Sequence, residues 1–274
     1  MLHPLLIFDA DTDQLISAVL RPGNVHASRG VVGILERLVR RLRDRWPRVE
    51  IELRADSGFA VPAVYELCES EDVNVTYTIG LVTNPRLRKL AEPLLEEAKA
   101  AQAQTEGGQG KVRLCDEGVY QAGTWPVERR VVFKVELLEK GPNTRFVVTN
   151  RPEGSPLEVY DGYVDRGEAE GWIKDFKNAC FADRLSCHRF VANQFRLLLH
   201  ASAYWLMDTL RRWLSSMGAA GMQLDTLRLR LIKVGGRVQQ WLTRVRLRLA
   251  SGHPGQVLWT LLARRPGRPV NNPG

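Results

Sequence analysis

The chain has 274 residues, an apolar fraction of 44% and a formal net charge of +8. That length fits one large or two modest domains, and the apolar content is enough for a sizeable core. Cysteines 68, 115, 180 and 187 lack C-x2-C or other metal spacing, and the uncharged run from Leu197 to Met207 is too short to span a membrane. A metal framework and a membrane protein are therefore set aside, no signal-peptide pattern opens the chain, and reduced thiols in the cytoplasm are expected.

His3–Ala10 and Leu15–Leu20 read as two strands of a hairpin around Asp11-Thr12-Asp13. Asp9, Asp11 and Asp13 read as turn-forming acids rather than metal ligands. Arg21-Pro22-Gly23-Asn24 reads as a turn. Ser28 is placed to cap a helix to about Trp46, with Val31, Ile34, Leu35, Leu38 and Leu42 at helical spacing and an Arg-rich opposite face. Val49–Ala55 alternates as a strand and ends at Asp56-Ser57-Gly58. A carboxylate at the C-terminal end of a strand suits chemistry in an α/β sheet, and it equally suits a helix N-cap. A helix over Val61–Glu69, a strand over Asn74–Leu81 and a helix over Pro85–Gln104 follow, then a Gly-rich break from Thr105 to Gly110. Val112–Leu114, Arg130–Leu138 and Thr144–Thr149 read as a small antiparallel insert, and Arg151–Ser155 as loop.

Tyr163–Lys177 has the spacing Y-x2-R-x3-E-x6-K. Taken as one helix at about 100° per residue, it brings Tyr163, Arg166, Glu170 and Lys177 to one edge, with Trp172, Ile173 and Phe176 on the neighbouring buried sector. Arg166 and Glu170 are also an ordinary i,i+4 surface pair, worth about 0.2–0.5 kcal/mol. Leu185–Leu214 reads as one long helix, interrupted by His188, Asn193, Arg196 and His200, which are read as polar groups with local partners.

The positive charge belongs to the tail. From Asp225 onward there are ten Lys and Arg and one acid, net +9; the other 224 residues hold 29 cations and 30 acids, net −1. A localised basic segment points to a polyanion. Thr226–Val234 and Arg244–Ala250 alternate strictly, predicting two strands with one aliphatic face and one arginine face. Arg228, Arg230, Arg244, Arg246 and Arg248 are the candidate DNA-backbone contacts; a solvated face covered by Arg stems is the alternative. Pro254–Ala263 reads as a short closing helix and Arg264–Gly274 as disordered.

The element order resembles the ribonuclease H-like core of bacterial insertion-sequence DDE transposases. It is most similar to the insertion-sequence 1380-type group, through His3-Pro4-Leu5-Leu6, Arg21-Pro22-Gly23-Asn24, Arg54-Ala55-Asp56-Ser57-Gly58-Phe59, the Tyr163–Lys177 motif, and Asp183-Arg184 with Ser186-Cys187-His188. The resemblance implies an α/β fold: a mixed sheet with flanking helices, a small β insert and a basic C-terminal β/α extension. It implies a catalytic core over 1–183, with the insert at about 105–150, and a C-terminal helix and basic tail over 184–274.

It also implies a mechanism. Asp56 and Glu170 are the second and third acids of a site for two Mg²⁺ (or Mn²⁺) ions about 3.5–4 Å apart. Tyr163, Arg166 and Lys177 support Glu170 and contact phosphate. The partner is DNA, both terminal inverted repeats and target, with a homodimer acting on paired ends in the bacterial cytoplasm at the nucleoid. The family's first Asp lies on a strand preceding the His3-Pro4 segment, whereas this chain begins at Met1. An N-terminally truncated transposase, lacking that strand and inactive in transposition, is therefore expected. The alternatives are a non-catalytic DNA-binding remnant and a ribonuclease H-like nuclease with another substrate.

Overall fold

Alternation in the first 22 residues produces β1 (Leu2–Asp9) and β2 (Gln14–Pro22), an antiparallel pair in which Leu5 faces Val19 and Leu6 faces Ala18. The structure is a computed structural model that describes residues 2–104, 110–139, 141–218, 221–250 and 252–264. Most of the predicted break at 105–110 and nearly all of the segment 264–274 lie outside the described residues. Asp9 accepts hydrogen bonds from the Asp11 N–H and the Thr12 hydroxyl, so it serves the turn. Arg21 and Pro22 finish β2, and only Gly23 and Asn24 turn.

The described residues form two compact units, 25–167 on the one hand and 2–24 with 168–264 on the other. The expected boundary at 183/184 falls inside the second.

In the first unit α1 (Val31–Arg45) starts from Gly30, whose φ of 75° suits glycine; the Ser28 side chain is not its cap and pairs with His26 instead. Next come β3 (Glu52–Ala55), α2 (Pro62–Glu69), β4 (Thr76–Leu81) and α3 (Pro85–Ala103), the last capped by Asn84 on the Leu87 N–H at 3.0 Å. Strands β5 (Val112–Tyr120), β6 (Arg129–Leu138) and β7 (Gly141–Thr149) follow, then α4 (Pro156–Val164), which opens on a capping box of Ser155 and Glu158.

The sheet order is β3-β4-β7-β6-β5, with β3 and β4 parallel and every other pair antiparallel. The mixed α/β sheet with flanking helices is as expected. The strands read as a separate small insert are instead three of its five strands, because β7 pairs with β4 directly. Side chains alternate across this sheet. Val132 and Val147 pack with Val159 and Tyr160 of α4. Gly118, opposite Val131, faces Leu90 of α3. The two helices thus cover opposite faces.

In the second unit α5 (Glu168–Cys180) and the 27-residue α6 (Phe190–Ser216) share a core with β2, including Leu15, Leu20, Phe176, Leu197 and Tyr204. α6 also serves the backbone of β2. Gln194 accepts from the Leu20 N–H at 2.6 Å and donates to the Ala18 carbonyl at 3.2 Å, and Trp205 donates to the Leu15 carbonyl at 2.6 Å. Asn193 is buried and bonded to Cys187 and Arg189, the local satisfaction expected of it. The closing helix is α8 (Gln256–Arg264). Among the described residues no helix is long and apolar enough to cross a membrane.

Candidate functional site

Asp56 follows the last residue of β3 and is exposed. Its Oδ1 accepts the Gly58 N–H at 2.8 Å, capping a 3-10 turn over Ser57–Phe59. Asp56 is therefore an N-cap, but of this turn and not of α2, whose N-cap is Val61. The cap engages one carboxylate oxygen, so it does not exhaust the group as a donor of hard oxygen.

β3 runs parallel to β4 with Ala55 opposite Ile79, which puts the Asp56 turn beside Gly80. Gly80 pairs with Val147 and shares the face that α4 covers. A Cβ on Gly80 would overlap the Tyr163 hydroxyl and lie 3.4 Å from the Ser57 nitrogen. Glycine here lets the phenol approach the backbone at the C-terminal end of the strands.

Burial raises the Tyr163 phenol above its ordinary value; the Arg166 guanidinium opposes this and the Asp56 carboxylate adds to it. Arg166 stands over the Tyr163 ring, 5.7 Å from its centroid. Arg54 of β3 donates to the Gly162 carbonyl at 2.7 Å and lies 3.7 Å from Asp165, fastening the end of α4 to the strand that carries Asp56. Asp56, Tyr163 and Arg166 are thus gathered in one unit.

The single helix expected over Tyr163–Lys177 is not formed. α4 ends at Val164, a 3-10 turn spans Asp165–Gly167, and α5 starts at Glu168. Gly167, with no Cβ and low helix propensity, sits at the break. Tyr163 and Arg166 belong to the first unit; Glu170 and Lys177 belong to the second. On α5 both Glu170 and Lys177 are exposed, and their spacing of seven puts them on one side of the helix, away from buried Phe176.

The tail departs from expectation in its first half. Leu224–Leu227 is a short helix, α7, and Arg228–Ile232 continues as a π-helical turn, not a strand. Leu224, Leu227 and Leu231 are buried in the core, and helical spacing, not alternation, puts them there. Arg228 is consequently no free strand-face arginine: it pairs with Asp225 at 3.1 Å and stacks on Phe181 at 4.5 Å. Arg230 is exposed on that turn. Arg244, Arg246 and Arg248 lie on a true strand, β9 (Arg244–Leu249), but its partner is β8 (Gly236–Trp241).

Sequence reasoning passed over Gly80 and Trp241, quoted Arg54 only as part of a motif, and counted Arg237 among the tail cations without giving it a contact. A lone glycine inside the strand Thr76–Leu81 was the available signal for Gly80, since such a residue marks a close backbone approach.

Divalent metal is implied by the resemblance. Asp56 and Glu170, both exposed carboxylates, are of the right chemistry for Mg²⁺. Among the described residues no group of three or more His, Cys, Asp or Glu converges on a point.

No curated protein matches the chain. Among solved structures it is similar to the piggyBac transposase in a synaptic complex with hairpin DNA, at 12% identity and a TM-score of 0.43, over 83% of this chain and 44% of that one. The chain therefore spans less than half the length of that relative. The family model for the transposase DDE domain, group 1, matches residues 2–266, from the first hairpin through Asp56 and Glu170 to the closing helix. The chain belongs to that DDE transposase family.

Proposed function

We propose that this chain is the transposase of a bacterial insertion sequence, acting on terminal inverted repeats and target DNA by a DDE mechanism. The observation that carries this reading is the grouping of Asp56, Tyr163 and Arg166 at the C-terminal end of β3 and β4, in a chain of the DDE transposase family. In open α/β sheets, sites gather at that end of the strands.

On the family resemblance, Asp56 and Glu170 are the acids that would hold Mg²⁺ or Mn²⁺. Such ions supply activation of a water or a DNA 3′-hydroxyl and stabilisation of the leaving oxygen. The Gly58 cap fixes the orientation of the Asp56 carboxylate. Arg166, over the Tyr163 ring, supplies a positive charge at the site that would offset charge on the reacting phosphate. Tyr163 holds Arg166 by its ring face. Lys177 contacts phosphate from α5, and the chain works as a homodimer on paired ends.

The experiment is incubation of the chain with its element's terminal-repeat duplex and Mg²⁺ or Mn²⁺, with Asp56→Asn and Glu170→Gln alongside. Cleavage that both variants lose, with DNA binding kept, establishes the enzyme and refutes the truncation expectation. Binding without cleavage assigns the non-catalytic, DNA-binding form of the reading. A chain that binds no duplex overturns both.

A further inference from the structure

Among the described residues both faces of the β8–β9 hairpin are largely exposed. Register pairs Arg237 with Arg248, Gln239 with Arg246 and Trp241 with Arg244, so these six side chains share one face. All four arginines are exposed. Arg244 and Arg246 lie 5.0 and 5.6 Å from the Trp241 ring centroid, which orders both guanidinium groups over one indole. The opposite face carries Val238, Val245 and Leu247, which are 65%, 66% and 56% exposed.

This pattern decides between two uses of arginine. Arg stems often cover the outside of a sheet whose inner face is packed. Among the described residues nothing packs on the inner face, so they give the stems no core to protect. An isolated two-stranded hairpin is marginal in water and gains from a partner. The sequence contains no Asp or Glu after Asp225, so the arginine face has no acid of its own tail to neutralise it. Arg228, by contrast, already has Asp225 and Phe181.

We infer that β8–β9 is a ribbon that binds duplex DNA through Arg237, Arg244, Arg246 and Arg248, with Trp241 holding two of them in place. The inference rests on the transposase reading and assigns that reading a DNA-contact element. A two-stranded ribbon is narrow enough to enter a major groove about 12 Å wide. Alternate residues on β9 set Arg244, Arg246 and Arg248 about 7 Å apart along the strand, so successive guanidinium groups follow a phosphate backbone.

The test is fluorescence anisotropy of the full chain with a labelled duplex over a salt series. Replacing all four arginines by glutamine is expected to reduce the slope of log K against log[salt] by about 3–4, at about 0.9 per lost phosphate contact. Replacement by lysine is expected to keep most of the slope, which confirms that the ribbon still folds. Glutamine at Arg37, Arg40, Arg41 and Arg45, exposed on α1, is the charge-matched control and is expected to leave the slope unchanged. An unchanged slope in the ribbon variant while the parent binds duplex overturns the inference and spares the transposase reading. A parent that binds no duplex overturns that reading itself. Preference for RNA or single strands over duplex also overturns the inference.

Discussion

The Tyr163 hydroxyl rests on the backbone of Gly80, in space that any side chain at position 80 would fill. One contact thus joins α4 to the strand beside Asp56. Gly80→Ala is expected to destabilise the chain by about 1–3 kcal/mol, the usual cost of overpacking. Adding Tyr163→Phe removes the obstructing oxygen and is expected to restore part of the loss. Chemical denaturation of the two variants checks this; equal stabilities would show that the hydroxyl is not the obstacle.

Asp56 has a structural task and a proposed chemical one, and they separate by substitution. Asparagine keeps the oxygen that accepts the Gly58 N–H, so Asp56→Asn is expected to retain parental stability within about 0.5 kcal/mol. Asp56→Ala loses the cap and is expected to cost about 1 kcal/mol. Under the proposed metal role, Mn²⁺ is expected to raise the melting temperature of the parent and not that of either variant. A shift that persists in Asp56→Asn would remove Asp56 from the metal donors.

Glu69 is held by Arg129 through two hydrogen bonds of 2.8 and 2.7 Å and by the Tyr77 hydroxyl at 2.7 Å, with Arg129 over Tyr65. Burial opposes the Glu69 charge, but the bonds from Arg129 and Tyr77 prevail and hold the carboxyl below its ordinary value. A depressed carboxyl stabilises the fold above its unfolded-state value, and that contribution is lost as pH falls through the lower folded value. Acid titration of stability is expected to show this loss below pH about 4.5. Glu69→Gln is expected to flatten that part of the curve. It is also expected to cost about 3–5 kcal/mol at neutral pH, because Arg129 is left buried without its partner charge.

Gln194 does for β2 what a neighbouring strand would do. Gln194→Leu fills similar space but leaves the Leu20 N–H and the Ala18 carbonyl without that partner, at an expected cost of about 1–3 kcal/mol. Hydrogen exchange at the Leu20 amide is expected to quicken by an order of magnitude or more; protection equal to the parent's would exclude the bond.

Much of the secondary structure was legible because its signals are local. Apolar spacing gave α1 and the alternating or apolar runs gave β1, β2 and β4, all within a few residues, whereas the Asn84 cap and the Ser155–Glu158 box that opens α4 were passed over. Pairing is not local, so the segment from Lys111 to Asn150 read as an insert although β7 is the direct neighbour of β4. Alternation misled at Thr226–Val234, where leucines at 227 and 231 suit a helix as well as a strand and burial settled the choice. At Tyr163–Lys177 the motif spacing was legible but its continuity was not, because Gly167 permits the turn without demanding it. An N-cap role for Asp56 was one of two open readings, and only the geometry shows that a cap, here of the 3-10 turn over Ser57–Phe59, and an exposed carboxylate coexist.

The side chains of α6 that bond β2 have a consequence for association between molecules. An exposed strand margin invites a foreign strand to lengthen the sheet, and proteins guard such margins. With Gln194 seated between Leu20 and Ala18, an incoming chain would have to evict an amide that already meets both backbone groups. Replacing that single glutamine would therefore do more than loosen one strand: it would uncover a template on which copies of this protein could polymerise.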